Sequence, residues 1–134
     1  MENIISKDPK EFALSQIAPY YKDKNLCATH NKICQYLTDD GRMCVAGKVM
    51  LPEVRGKYYI LDGISPIGGI LNDYSQAEIF IPEVVDILTD MQWVYLQGIH
   101  DAIALYNDEV ILERIGGLNL FTFDELKEYS DNLK

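Results

Sequence analysis

The run C-Q-Y-L-T-D-D-G-R-M-C-V-A-G-K-V-M-L-P-E spans residues 34–53 and sets the architecture expected of this chain. It puts two thiols, Cys34 and Cys44, on either side of Asp39-Asp40-Gly41. Asp-Gly between apolar runs is a strong short-range hairpin signal. The pattern therefore predicts strands over 34–38 and 42–51. The same residues admit a metal clip or a reactive thiol site, and these alternatives stay open at the level of the sequence.

Working outward, helices dominate the rest. Asp8-Pro9-Lys10-Glu11 predicts a helix start, with Asp8 as cap, Pro9 at the first helical position and Glu11 completing the box. Pro19 is expected to end or kink that helix. Residues 24–30 read as a loop or short turn. Tyr58–Leu61 reads as a third strand or an ordered loop. Ser65-Pro66 predicts a short helix to about Tyr74, and Ile81-Pro82 another. Thr89-Asp90-Met91-Gln92 is a capping box opening a helix to about Tyr106. Trp93, Val94, Leu96, Ile99, Ala102, Ile103 and Leu105 make that helix apolar on most sides, hence central. Gln97 and Asp101 share a narrow polar seam. Residues 109–115 read as a helix stopped by Gly116-Gly117. Thr122-Phe123-Asp124-Glu125 caps a last, acidic helix, with Leu126, Tyr129 and Leu133 facing inward. The expected class is α+β: a mainly helical single domain over residues 1–134, with a small antiparallel β-hairpin or sheet.

Composition narrows the function classes. With 48% apolar and 25% charged residues in 134, the chain can bury an ordinary core. No apolar run approaches the roughly 20 residues of a membrane span. The N-terminus lacks the basic and apolar regions of a signal peptide. Three cysteines are too few, and odd in number, for a disulfide scaffold. A cytoplasmic location is expected. The net charge of −9 disfavours nucleic acid and anionic membranes as ligands and leaves room for basic protein partners.

Two motifs together suggest a family. Cys34-x-Tyr36, Gly41-x-x-Cys44-x-x-Gly47 and Pro52-Glu53, followed by Leu96-Gln97-Gly98-Ile99-His100-Asp101, resemble a pattern in small uncharacterised proteins of tailed bacteriophages and prophages. The resemblance covers roughly residues 34–104. Arg55-Gly56-Lys57 departs from the acidic, Tyr-containing stretch expected there. The resemblance implies a phage or prophage origin, with action in the infected bacterial host. It brings no known reaction.

Each candidate site has a plainer alternative. Cys27-x-x-His30 resembles half a zinc site, and Cys34 and Cys44 complete a Cys3His set on paper. The spacing lacks the usual two close pairs, so three semi-buried thiols are the plainer reading, and zinc is the one cofactor the motifs admit. A Cys34–Cys44 disulfide conflicts with a reducing compartment. A thiol–His100 pair needs an orienting carboxylate, and adjacent helical residues such as His100 and Asp101 point about 100° apart. Gly63, Ser65, Gly68 and Gly69 form a turn that lacks the Lys-Ser/Thr of a P-loop but could hold a nucleotide-like anion. Asp124, Glu125, Glu128 and Asp131 offer an acidic interaction surface, or simply a solvated face. Tyr20, Tyr21, Tyr58 and Tyr59 suit a homo-oligomer interface or the core equally.

No catalytic set assembles from these residues, so a non-enzymatic protein is expected. The leading expectation is a small acidic interaction protein that binds a host bacterial protein, a defence or nucleic-acid-processing factor. The alternative is a module that binds or sequesters a nucleotide-like small molecule.

Overall fold

The computed structural model describes residues 5–30, 33–57 and 67–133, apart from the side chains of His30, Ile33 and Lys57. The strand or loop expected at 58–61 and the Ser65-Pro66 helix start lie outside the described residues.

Seven α-helices occupy the described residues: α1 (Pro9–Lys22), α2 (Pro52–Lys57), α3 (Ile67–Asp73), α4 (Gln76–Ile79), α5 (Asp90–Leu105), α6 (Asp108–Leu118) and α7 (Phe123–Asp131). Among the described residues no helix is long and apolar enough to cross a membrane. Their starts follow local chemistry. The Asp8 carboxylate accepts from the Glu11 N–H at 3.0 Å. Thr89 and Gln92 close a reciprocal box at 3.1 and 2.9 Å, as do Thr122 and Glu125. A third box, Ser75 with Glu78, opens α4. Its S-x-x-E spacing was readable in the sequence and was missed.

Pro19 does not end α1. The helix runs on to Lys22, and the Asp23 N–H closes onto the Pro19 carbonyl at 2.9 Å. An interior proline costs about 3 kcal/mol. Tyr20, just beyond the proline, is buried and its hydroxyl donates to the Met43 carbonyl at 2.6 Å, which holds the last turn in place.

As expected, α5 is central. It packs against α1, α3 and α6, while α7 lies along α1. Trp93, fully buried, stacks on Phe80 at 4.4 Å and takes the Phe12 ring edge-on at 5.8 Å. Gly116-Gly117 does not stop α6, which continues to Leu118 and is capped by Asn119 in the left-handed region (φ 56°). Gly117 is needed for another reason. A Cβ there would fall within 2.6 Å of Tyr95 Cδ1, so the glycine lets α6 close on α5.

The α+β class is overturned: the fold is helical. The expected strands 34–38 and 42–51 form a single isolated bridge, Leu37 to Met43. Gly47–Val49, expected in a strand, winds into a 3-10 turn. Beyond such bridges, extended pairing among the described residues is limited to Thr29 with Cys34 and His30 with Ile33. The turn itself was read correctly. Gly41 has φ 91° and its N–H reaches the Thr38 carbonyl at 3.0 Å.

Hydrogen-bond bookkeeping explains why the strands fail. The Ala46 N–H goes to Gln97 Oε1 at 3.0 Å, Gly47 N–H to Cys44 Sγ at 3.3 Å, and Lys48 N–H to the Cys44 carbonyl at 3.1 Å. These three donors are committed away from any strand partner. Arg42 anchors the turn from outside the pairing, bonding the Asp40 carboxylate and the carbonyls of Cys27 (2.8 Å) and Thr29 (3.1 Å).

Candidate functional site

The polar seam of α5 meets the Cys-rich segments in one buried cluster. His100 is fully buried, and the edge-on ring of Tyr20 packs against it at 4.8 Å. Its Nε2 accepts the Ala28 N–H at 3.3 Å. The ring proton therefore resides on Nδ1, which donates to Asp101 Oδ1 at 2.9 Å. The expectation that Asp101 points away from the ring is wrong. The Cα–Cβ vectors diverge, but the carboxylate turns back across the helix surface. Gln97 Nε2 donates to the same oxygen at 3.1 Å and fixes it. The Cys34 thiol also bonds Asp101.

Cys34 Sγ, a ring nitrogen of His100 and a carboxylate oxygen of Asp101 lie within 4.8 Å of one another. This is a different set from the expected Cys27, His30, Cys34 and Cys44. Only Cys34 is shared. The Cys27 thiol makes a 4.0 Å contact with the His100 carbonyl, and Cys44 accepts from Gly47. The His30 side chain lies outside the described residues. All three cysteines are free thiols, so no disulfide joins Cys34 and Cys44.

The thiols are poor nucleophiles as they stand. Burial first, then the Asp101 charge and its hydrogen bond, push Cys34 far above the ordinary thiol range. Burial pushes Cys27 up to about 11 and Cys44 up to about 12. A nucleophilic cysteine needs the reverse, a neighbouring positive charge or base. Here both ring nitrogens of His100 are taken, one by Ala28 and one by Asp101, and the thiol faces a carboxylate.

The glycine turn divides. Gly63 and Ser65 lie outside the described residues. Gly68 and Gly69 sit within α3 rather than in a loop, and a Cβ at Gly68 would meet Val94 Cγ2 at 3.2 Å. Gly68 thus serves helix packing.

The acidic residues fall on two helices. On α7, Asp124, Glu128 and Asp131 are exposed and recur at i, i+4 and i+7, which places them in one row. They make no ion pair among the described residues. Glu125 is engaged instead, capping Thr122 and pairing with Lys10. On α6, Asp108, Glu109 and Glu113 are exposed around Leu112, whose side chain is 55% exposed. The Tyr21 ring packs edge-on against Phe123 at 5.6 Å. Partial burial, then the charges of Asp108 and Asp131, raise its hydroxyl above the ordinary tyrosine value. Charges from both helices thus act on this one hydroxyl.

No protein-family model, curated protein or solved structure matches this chain.

Proposed function

We propose that this chain is a non-catalytic interaction protein of phage origin, and that its acidic α6–α7 face docks on a basic surface of a host bacterial protein. The observation that carries the reading is the row of exposed carboxylates along α7, Asp124, Glu128 and Asp131 at i, i+4 and i+7. The exposed Asp108, Glu109 and Glu113 of α6 add further negative charge. Unpaired carboxylates at helical spacing present charge to a partner at regular intervals, and a basic surface built to hold phosphates would accept them. A defence or nucleic-acid-processing factor has such a surface. The protonated thiols and the occupied His100 ring favour a binding role over a thiol-based reaction.

The test is capture from bacterial lysate with the wild-type chain and with an Asp108→Asn, Asp124→Asn, Glu128→Gln, Asp131→Asn variant. A host protein retained by the wild type at low salt, released by high salt and not retained by the variant supports the reading. Equal retention by both proteins removes the acidic face from it. If no protein is retained and a nucleotide raises the melting temperature, the small-molecule alternative replaces it.

A further inference from the structure

The Cys34–His100–Asp101 cluster has a chemistry that neither the helical fold nor the acidic face explains. A thiol, an imidazole and a carboxylate converge within 4.8 Å from two segments of the chain. One thiolate, one nitrogen and one oxygen is a donor set that suits borderline divalent transition metals rather than calcium or magnesium. The donors are also held in advance. Gln97 secures the Asp101 oxygen, and the Tyr20 ring fixes the imidazole plane. Orientation by such supporting groups is typical of metal ligands. Solvent reaches the site through Cys34, which is half-buried, and the Asp101 side chain, which is 30% exposed, while His100 is fully buried.

We propose that Cys34, His100 and Asp101 form a three-residue site for a zinc-class divalent cation, with its remaining position turned to solvent.

Charge and proton balance fit a dication. Binding releases the Cys34 thiol proton to solvent and moves the His100 ring proton from Nδ1 to Nε2. Thiolate and carboxylate then offset two positive charges, leaving a neutral buried centre. The ring proton shift takes the acceptor away from the Ala28 N–H, now held at 3.3 Å. One neutral hydrogen bond is small beside a metal–thiolate bond, so the site gives it up. The segment around Ala28 therefore moves when the cation binds, and affinity rises tenfold per pH unit while Cys34 remains a thiol.

The experiment titrates the full chain with cobalt(II), a spectroscopic substitute for zinc. One equivalent should generate a near-ultraviolet thiolate-to-cobalt band, and zinc should bleach it. Cys34→Ser should lose the band while Cys27→Ser and Cys44→Ser keep it. Zinc should also shield Cys34 of the wild-type chain from iodoacetamide, as read by peptide mass, which keeps the test valid if a variant fails to fold. Absence of the band at saturating cobalt, or a band that survives Cys34→Ser and vanishes in Cys27→Ser, overturns the proposal.

Discussion

Gly47 lies directly beneath the backbone of Tyr36. A Cβ at position 47 would come within 2.8 Å of the Tyr36 carbonyl carbon and closer still to its oxygen. This contact ties the two halves of the 34–53 stretch together without strand pairing, and it does so through backbone that cannot swing aside. Gly47→Ala should therefore destabilise the chain by about 3 kcal/mol, the upper part of the range for overpacking. Gly41 is the control. Its φ is 91° but open space surrounds it, so Gly41→Ala should cost only about 1 kcal/mol of backbone strain. Urea midpoints of the two variants check this. Equal losses would show that the Tyr36 contact is unimportant.

Gln97 serves two segments at once. Its Oε1 accepts from Ala46 and its Nε2 donates to Asp101. Gln97→Leu fills a similar volume but leaves the buried Ala46 N–H without an acceptor. The expected loss is about 1–3 kcal/mol, the cost of an unsatisfied buried polar group. Hydrogen exchange at Ala46 should quicken more than exchange in α7, which Gln97 does not touch. Uniform quickening would count against a local role.

Lys48 predicts an unusual dependence on pH. Its ammonium donates to the Gln16 carbonyl at 3.0 Å and lies over the Tyr20 ring, and the described residues offer it no carboxylate. Burial lowers it to about 8 from an ordinary 10.5. Between those values the unfolded chain binds more protons than the folded one, so stability rises with pH. The thiols act in the opposite direction. Cys27 and Cys44, raised to about 11 and about 12 from 9.0, stabilise fully below 9.0 and lose that contribution as pH climbs through the raised values. Denaturation midpoints should increase between about pH 8 and pH 9 and then fall. Lys48→Met should abolish the increase and keep the fall. A wild-type midpoint that is flat or decreasing over that first interval would refute the assignment.

Thiol chemistry should be slow in the metal-free native state. All three cysteines are shifted toward the unreactive protonated form, and only Cys34 is not fully buried. Iodoacetamide near neutrality should modify Cys34 first and Cys27 and Cys44 only on unfolding, all more slowly than a free thiol. Peptide mass mapping over time reads the order. Rapid labelling of Cys44 would contradict its burial.

Much of the helical frame was legible. Asp8, Thr89 and Thr122 announced α1, α5 and α7 because a cap is a local event: a side-chain oxygen meets an N–H two or three residues away. The apolar surround of α5 announced its central place for the same reason, since 3.6-residue periodicity needs no partner to be read. The acidic character of α7 and the thiols at 27, 34 and 44 were equally plain.

What the tertiary structure decided was where the donors and carboxylates go. Residues 42–51 have the composition of a strand, and Asp-Gly made the expected turn. Yet Gln97, fifty-one residues away, takes the Ala46 N–H, and the Tyr36 carbonyl closes over Gly47. A backbone donor bonds once, and the partner that wins is set by packing at long range. The same holds for the candidate sites. Cys34 meets His100 and Asp101, which lie far along the chain on α5. Sequence alone supplied the residue types and the local helices; only folding chose which of those residues face one another, because hydrogen bonds and charge act over a few ångströms of space and not along the chain.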